Sequence, residues 1–393
     1  MALPGTTPGS DISNLIPDAY AALNVVSREL VGFIPSVQRD SSADRLALGA
    51  NLRSAVPPVN TAGLDIVPAM AFPSAANQAI ANITFTIQKA RAFPFSWSGE
   101  QQYSANTGPG YLTVNQQQIA QAIRAAAKEI DTDLANCAAA NGTRAYGTAG
   151  TTPFASNLSQ LAQVRKILDD NGAPSSDRQL VISTAAGANL RSLTQLTNYL
   201  NAGSTDPVRK GELLNLFDFS IKESSQVAVS TAGTSTTANV NANGYAIGVT
   251  SLGLSATGTG TIVAGDLITF AGDANNTYIA TSNIANVGAG GTLTIASPGL
   301  RVALTAANQL ITIGAAATRN VAFSRDALLL GTRLPIAPNP RDLAIIREVI
   351  TDPMTGLSFE LAAFPGNRMV TFQIGICWGV QCENPEHLAQ LLG

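Results

Sequence analysis

The chain has 393 residues, of which 12% are charged and 45% are hydrophobic, and its formal net charge is −3. Charged residues are about half as frequent as in ordinary soluble domains. The small negative charge excludes a general electrostatic attraction to nucleic acid or to an anionic membrane. Because the central parts of protein interfaces are depleted in charge, we expect partner subunits to cover much of the surface. The length allows two or three domains.

Signals for export and for membrane insertion are missing. The opening segment "MALPGTTPGSDISNLIPDAY" has no basic region followed by an apolar one, and no apolar run reaches the roughly 18 residues of a membrane span. Three cysteines are an odd number and do not form a disulfide framework. We therefore expect the protein to be made in a reducing cytoplasm, with no membrane contact. Four glycosylation sequons are then chance matches: Asn82, Asn141, Asn157 and Asn275.

The N-terminal part predicts a helix followed by a long irregular stretch. Apolar residues recur at helical spacing from Pro17 to about Leu30. Residues 49–80 contain four prolines and no clear period, which is typical of a functional loop. Alternating apolar residues in "NITFTIQKARAFPFSW" (82–97) predict two strands with a turn near Ala90. Together, residues 49–97 are interpreted as an arm that projects from a body.

The strongest helical pattern runs from about Asn115 to Ala140, where Ile119, Ile123 and Ile130 share one stripe with other apolar residues. At ~1.5 Å per residue this helix is about 39 Å long, which suits a structural spine. A helix is predicted from Asn157 to Asp170 with Ser156 as its cap, then a buried strand at 179–184 and a helix from Ala188 to Leu200. This alternation indicates a mixed α/β body.

The composition changes abruptly between Ser224 and Thr318. Only Asp266, Asp273 and Arg301 are charged there, and the segment is rich in Gly, Thr, Ser, Ala and Asn. Short β-forming runs are separated by turn signals; they are "YAIGVTSL", "GDLITFAG", "NTYIATSNI", "GTLTIASPGLRVAL" and "QLITIGA". Mixed α/β sequence returns at Arg319. We interpret 224–318 as a small all-β domain inserted into the body.

The C-terminal segment gathers the only histidine, His387, with Cys377 and Cys382. Their spacing matches no structural zinc pattern and a fourth ligand is missing. Alternation of Phe372 and the following apolar residues predicts a strand instead, with Cys377 on its opposite face. A short helical turn with a surface histidine would then follow Asn384. We expect no metal site here.

Catalytic motifs are also missing. "GTGTIVAG" (258–265) resembles a dinucleotide-binding loop, but its third glycine is absent and a strand follows. The carboxylate pairs Asp131/Asp133 and Asp169/Asp170 are interpreted as solvated charges on helix faces or ends. The sequence has no nucleophile elbow and no phosphate loop. We expect a protein that is not an enzyme and binds no cofactor.

In their order, these segments resemble the major capsid (coat) proteins of tailed bacteriophages, which share the Hong Kong 97 fold. "RNVAFSRDALLLGTRLPIAP" (319–338) looks like the strand and helix that re-enter the body in coat proteins of short-tailed phages of the P-twenty-two type. "VAGDLITFAG" (263–272) is similar to a strand pair of their inserted β domain. "MVTFQIGICWGVQCENPEHLAQLLG" is similar to their C-terminal strand. "LIPDAYAALNVVSREL", followed by "SVQRD", fits their N-terminal arm.

The resemblance implies an α+β capsid fold with an inserted β domain. Its parts would be an N-terminal arm (1–48), an extended loop with a β-arm (49–110), the spine helix of a peripheral domain (111–150), the first part of an axial domain (151–223), the inserted β domain (224–318) and an axial and peripheral return segment (319–393). Some relatives cross-link through a lysine of the extended loop. Residues 49–80 contain no lysine, so a non-covalent shell is expected.

The implied function is a virion shell. Hexamers and pentamers of the chain would form an icosahedral head around double-stranded DNA, assembled in the host bacterial cytoplasm. The implied partners are other copies of the chain, a scaffolding protein, a portal, decoration proteins and non-specific contact with DNA. An encapsulin-like compartment shell is the alternative within the same fold. A glycan-binding adhesin, suggested by residues 224–318, and an enzyme are more distant alternatives.

Overall fold

The computed structural model describes residues 30–56, 81–105, 111–197, 215–337 and 342–393. Within these ranges the chain is a mixed α+β protein, which confirms the predicted fold class. Its strands lie in a six-stranded sheet, an eleven-stranded sheet and a separate two-stranded sheet. The predicted helix from Pro17 lies outside the described residues, apart from its last position.

The six-stranded sheet is organised around one long strand, β18. Strand β4 pairs with one edge of β18, while β17 and β15 pair with successive parts of its other edge. Strand β1 runs parallel to β15, and β16 lies outside β17. The bounds are β1 Gln38–Leu46, β4 Lys89–Ser98, β15 Leu328–Pro335, β16 Ile346–Thr351, β17 Ser358–Gly366 and β18 Met369–Cys382.

A long helix, α2 (Tyr111–Asn141), packs on this sheet and is called the spine helix below. The predicted helix is confirmed, although it begins four residues earlier, and at ~1.5 Å per residue it is about 46 Å long. A short helix, α1 (Gly99–Ala105), precedes it and was not predicted. Apolar residues of the spine helix and of β18 form one buried cluster; its members include Ile119, Ile123, Ile130, Leu134, Phe372, Ile374, Ile376 and Trp378.

The eleven-stranded sheet contains both the α/β body and the β-rich segment. Its body strands lie in the order β5-β19-β14-β6-β7, with bounds β5 Arg144–Tyr146, β6 Arg178–Ser183, β7 Phe219–Ser224, β14 Arg319–Ser324 and β19 Leu388–Leu392. Helix α3 (Ser159–Asp170) and helix α4 (Thr184–Ser192) contribute to their buried core, and α5 (Thr194–Thr197) follows. The last residues of the chain are therefore a central strand, which the sequence analysis did not predict.

Residues 224–318 form the remainder of this sheet, in the order β12-β9-β8-β13-β10-β11. The bounds are β8 Asn239–Val240, β9 Ser251–Leu254, β10 Leu267–Phe270, β11 Asp273–Ile279, β12 Gly291–Thr294 and β13 Gln309–Ile313. A separate hydrophobic cluster lies within this segment, from Ala238 to Ile311. It is joined to the body by hydrogen bonds between β11 and β5. Of the β-forming run predicted at 245–252, only the last residues belong to a strand, β9.

Buried polar contacts hold the β-rich segment, the spine helix and the C-terminal strand together. Gln390 of β19 donates to the carbonyl oxygen of Ala139 at 2.7 Å, near the end of the spine helix. The guanidinium of Arg319 donates to Gln390 Oε1 at 3.0 Å and to the carbonyl oxygen of Gly265 at 2.9 Å. Burial lowers the pKa of Arg319 to about 10. One buried cation thus satisfies groups from separate parts of the chain.

The predicted β-arm needs a correction. Strands β2 (Asn51–Val56) and β3 (Ala81–Thr86) pair with each other, but β4 belongs to the six-stranded sheet. The chain leaves β3 at residues 87–88, before the predicted turn at Ala90. Strand β4 pairs with β18 because its aromatic residues face those of β18: Phe95 stacks on Phe372 with ring centroids 5.4 Å apart.

Two helix boundaries also differ from the prediction. Ser156 does not cap α3; the side chain of Asn157 accepts from the backbone N–H of Ser159 at 3.0 Å. Helix α4 begins at Thr184 rather than Ala188, because Ser183 Oγ accepts from the backbone N–H of Ala186 and starts the helix earlier. It ends at an extended Leu193, where the prediction continued to Leu200. The short α5 follows, and residues 198–200 lie outside the described residues.

Candidate assembly surfaces

The three residues considered as metal ligands lie in different surroundings. Cys377 is buried with Phe85, Ile87 and Leu329, on the face of β18 opposite the spine helix, as the alternation predicted. Cys382 packs against the core cluster of the spine helix, where burial raises the pKa of its thiol. His387 follows in a single helical turn, Pro385–His387. In the described part of the chain, no three His, Cys, Asp or Glu residues form a group that could hold a metal ion.

His387 is partly exposed, as predicted, and it is also paired with a carboxylate. Its Nδ1 lies 2.9 Å from Oδ2 of Asp326 in the turn between β14 and β15. This hydrogen bond is the largest cause of the lowered pKa of the Asp326 carboxyl. Asn384 donates to the carbonyl oxygen of Asp326 at 3.4 Å. The contacts fix the start of β19 beside the strand with which it pairs.

The prediction of solvated charge was wrong for the buried Asp131, whereas Asp133 is partly exposed and is paired. Asp131 is 0% exposed, and its carboxylate accepts from the backbone N–H groups of Phe33 and Ile34 and from Ser224 Oγ. Asp133 accepts from Lys89 Nζ at 2.8 Å and from Trp378 Nε1 at 2.9 Å. Both carboxylates are therefore structural links between the spine helix and neighbouring strands. The sequence contained a signal: Asp131 lies at helical spacing within the apolar stripe.

The other carboxylate pair is closer to the prediction. The side chains of Asp169 and Asp170 remain partly exposed, and both form ion pairs. Asp169 Oδ1 lies 2.7 Å from Nη1 of the buried Arg178. Asp170 Oδ2 lies 3.3 Å from Nη2 of the buried Arg144. Neither pair brings two carboxylates into a pocket with a nucleophile or a base.

The glycines of the run at 258–265 allow two chain segments to pack closely. Gly258 and Gly260 have positive φ angles of 89° and 93°. A Cβ atom on Gly258 would lie 2.6 Å from the carbonyl oxygen of Thr236, and one on Gly260 would collide with Thr234. The two backbones approach this closely because Thr236 and Thr259 form a bridge. Glycine is needed here for contact between chain segments, and no phosphate cradle results.

The base of the two-stranded arm is anchored by one aromatic ring. Phe85, at the end of β3, is buried against β15 and β18. A Cβ atom on Gly379 would lie 2.9 Å from Cζ of Phe85 and would collide with the carbonyl oxygen of Thr86. A Cβ atom on Gly331 would collide with the same ring. The glycine after Trp378 therefore provides the space in which the arm joins the sheet.

The outer strand β16 offers an unpaired sheet edge. In the described ranges β16 pairs only with β17, and this pairing extends to Ile345, whose N–H donates to Ala363. Apolar side chains along the strand and just before it are exposed: Leu343 (79%), Ile345 (54%) and Val349 (43%). An exposed apolar edge strand is a template for pairing with another chain. We call residues 343–349 the edge surface.

Ion pairs stiffen the sheet beneath the edge surface. The buried carboxylate of Glu360 on β17 pairs with Arg45 of β1 and with Arg347 of β16. Arg347 also binds Asp342, and its guanidinium lies 5.5 Å from the centroid of the Phe364 ring. The arginine lowers the pKa of the Asp342 carboxyl to about 2. These charged side chains are thus paired with one another within the subunit, while the apolar side chains of the edge surface remain exposed.

An open cleft of about 850 Å³ lies at the end of the six-stranded sheet, between α1 and the turn that joins β17 to β18. Trp97, Tyr103, Arg368 and Met369 contribute to its lining. Tyr103 and Met369 are exposed. The cleft offers a second surface where an apolar group of a neighbouring molecule could pack.

The β-rich segment has an almost uncharged surface. Of its three charged residues, Asp266 and Asp273 are buried, which leaves Arg301. Asp266 accepts from the backbone N–H of Val263 at 2.7 Å, and Asp273 accepts from Tyr278 Oη at 2.6 Å. Ordinary surfaces carry many more charges than this. Such a surface suits contact with protein more than exposure to water.

The chain is thus an α+β protein whose long helix packs on a six-stranded sheet and whose arm and edge strand are open to partners. No protein-family model matches it, and no curated protein matches it. Among the described residues, no helix is long and apolar enough to cross a membrane.

Solved structures to which the chain is similar include phage structures. One is from Mycobacterium phage Che8 (14% identity, 100% of this chain and 94% of that chain, TM-score 0.45). The capsid structure of the cyanophage P-SCSP1u has 14% identity, 93% and 89% coverage and a TM-score of 0.47. The mature capsid of bacteriophage PhiM1 has 11% identity, 93% and 88% coverage and a TM-score of 0.47.

Proposed function

We propose that this chain is the major capsid protein of a tailed bacteriophage. Hexamers and pentamers of the chain assemble into an icosahedral head that encloses double-stranded DNA. The role is structural, without catalysis and without a cofactor. The sequence resemblance described above, in the order of its segments, is the starting point of this proposal.

The observation that carries the proposal is the nearly uncharged surface of residues 225–318, where Arg301 is the one charged residue that is not buried. A surface without charge has little to lose in desolvation when it is covered by protein. Repeated contacts between identical chains produce closed symmetric assemblies. A subunit that contacts many copies of itself therefore benefits from this composition.

In such a shell, the described elements have different structural roles. The spine helix and the six-stranded sheet share one buried core, so they can transmit load as a rigid unit. The paired strands β2 and β3 are attached to that unit through Phe85, and in the proposed shell they belong to the arm that overlaps a neighbouring subunit. The edge surface supplies a further contact at the side of the sheet.

Contacts in the proposed shell are non-covalent, because the extended loop at 49–80 contains no lysine. Contact with DNA is sequence-independent, in keeping with a net charge of only −3. A scaffolding protein, a portal and decoration proteins are the further partners of a tailed-phage head. The finished protein belongs to the virion, and assembly takes place in the cytoplasm of the host bacterium.

Electron microscopy of the purified full-length chain tests the proposal. We expect closed polyhedra, tubes or isolated capsomers, and we expect that deletion of residues 54–80 abolishes shells while the subunit stays soluble. Stable monomers under all conditions, also with the scaffolding protein present, would overturn the proposal. Closed shells that package protein and exclude DNA would instead identify a compartment shell.

A further inference from the structure

A small cavity of about 80 Å³ lies where the β-rich segment meets the body. It is bounded by β11 on one side and by β5 and α3 on the other. Arg144, Lys166, Asp170, Asn275 and Asn276 contribute to its lining. The volume corresponds to about two or three water molecules, so the cavity admits only a small group.

Arg144 is a buried cation whose hydrogen bonding is incomplete. It is 6% exposed; Nη1 donates to Asn276 Oδ1 at 3.1 Å, and Nη2 donates to Asn171 Oδ1 at 3.2 Å. Nε, by contrast, has no hydrogen-bond partner among the described residues. A buried N–H without an acceptor is costly, and more so on a charged group. The pKa of Arg144 is lowered, first by burial and then by the charge of Arg301.

Two further cations lie beside Arg144. Lys166 lines the cavity from α3, and Arg301 Nη2 donates to the carbonyl oxygen of Asp170 at 2.9 Å. In the described part of the chain, neither Lys166 nor Arg301 forms an ion pair with a carboxylate. The nearest carboxylates are already engaged: Asp170 binds Arg144, and Asp273 accepts from Tyr278 and Asn276. Around the cavity, the three cations Arg144, Lys166 and Arg301 thus accompany the two carboxylates Asp170 and Asp273.

We propose that this cavity binds a single phosphate-sized oxyanion, held by the guanidinium of Arg144, the ammonium of Lys166 and the side-chain amide of Asn275. The anion accepts from the unpartnered Nε and compensates the surrounding cations. It also bridges β11 to β5 and α3, so binding stabilises the junction between the β-rich segment and the body. The proposal does not depend on the shell function.

Thermal unfolding of the full-length protein in inorganic phosphate tests this site. Ionic strength is held constant with chloride. We expect the unfolding temperature to rise by about 1–3 °C when phosphate reaches ten times its dissociation constant. If the rise is no larger in phosphate than in chloride, the cavity holds water and the proposal is overturned.

Amino-acid substitutions test whether phosphate binds at this cavity. Lys166→Gln removes an exposed charge at the cavity and is expected to weaken phosphate binding roughly tenfold, measured by calorimetry. Lys128→Gln removes an exposed lysine of the spine helix outside the cavity and is expected to leave binding unchanged. Arg144→Gln is expected to abolish binding; if this variant fails to fold, Lys166→Gln still decides. Equal phosphate affinity in the wild type and in Lys166→Gln would overturn the proposal.

A second ligand distinguishes the source of the phosphate. A short DNA duplex is compared with inorganic phosphate at the same phosphate concentration. A rise in unfolding temperature that depends on Lys166 and occurs only with free phosphate assigns the site to a soluble ion. A Lys166-dependent rise with both ligands shows that the site also accepts the phosphates of a nucleic-acid backbone. No Lys166-dependent rise with either ligand overturns the site.

Discussion

Asp131, in the C-terminal half of the spine helix, accepts hydrogen bonds from the backbone N–H groups of Phe33 and Ile34, both at 3.0 Å. Its second oxygen accepts from Ser224 Oγ at 2.5 Å. One buried carboxylate therefore joins the segment before β1 and the end of β7 to the spine helix. Phe33 and Ile34 are themselves buried in the core cluster.

Replacement of Asp131 by Ala should destabilise the subunit strongly. Two backbone N–H groups and a hydroxyl would lose their acceptor in a buried position, which costs about 3 kcal/mol in the free energy of unfolding. Urea denaturation at pH 7 measures this change. Asp131→Asn keeps an acceptor oxygen and should cost less. Equal stability of Asp131→Ala and the wild type would contradict the structural role.

Burial raises the pKa of Asp131, and this has a pH consequence. The folded state holds the proton more tightly than the unfolded state, so this group's contribution to stability falls as the pH rises from the ordinary value of 3.8 through the raised folded value. Asp131→Asn, which does not titrate, should lack this component. Urea denaturation of both proteins from pH 4 upward, in steps of about half a pH unit, shows whether stability falls as predicted.

Gly379→Ala should loosen the attachment of the arm. The added methyl group meets the Phe85 ring and the backbone of Thr86, so the base of β3 must move. We expect a loss of about 1–3 kcal/mol in the free energy of unfolding and incomplete or misshapen shells in electron micrographs. Gly99→Ala is the matched control, because a Cβ atom there has no neighbour within 4 Å. Normal shells from Gly379→Ala would show that Phe85 does not position the arm.

A charge on the edge surface should block assembly without unfolding the subunit. Val349 is exposed on the outer strand β16, so Val349→Lys changes little inside the subunit. A lysine on an edge strand opposes pairing with another chain. We expect soluble subunits with a normal circular dichroism spectrum and few shells. Val349→Thr keeps the β-branch without the charge and should still assemble; equal assembly by both variants would exclude this edge from the interface.

Assembled particles should dissociate completely in hot detergent. Residues 49–80 contain no lysine, so the chain lacks that group for an isopeptide cross-link in the extended loop. Boiled particles should therefore migrate as a single band at 40.5 kDa on a denaturing gel. A ladder of multiples that survives reducing agent would contradict the non-covalent shell.

The pairing of His387 with Asp326 should make stability sensitive to acid. The hydrogen bond from His387 lowers the pKa of the Asp326 carboxyl, so its contribution is present above the ordinary value of 3.8 and is lost as the pH falls through the lower folded value. His387→Gln should shift the urea midpoint downward at pH 7. This difference from the wild type should shrink below pH 3.8. A difference that stays constant from pH 7 to about pH 2 would mean that the pair contributes no linked proton.

Much of the secondary structure was predictable because its signals are local. The stripe of Ile119, Ile123 and Ile130 determined the spine helix, and the alternation around Phe372 determined the long strand β18. The lack of charge from Ser224 to Thr318 is itself a property of the sequence. The spacing of Cys377, Cys382 and His387 was also enough by itself to argue against a zinc site.

The assembly surfaces were only partly predictable. Leu343, Ile345 and Val349 are visible as apolar residues, but their exposure depends on which strand lies outside β17. The C-terminal strand β19 is too short to stand out, and its position between β5 and β14 depends on pairing with residues far away in the chain. The oxyanion cavity combines β5, α3 and β11, which no sequence window contains.

The sequence by itself determined the long helix, the long C-terminal strand and the uncharged character of the β-rich segment, because periodicity and composition act over neighbouring residues. Only the tertiary structure decided that β3 pairs with β2 while β4 pairs with β18. It also decided that Asp131 is buried and that His387 pairs with Asp326. Strand pairing and desolvation depend on groups that folding brings together from distant positions, and hydrogen bonds at those places outweigh the local preference of each residue.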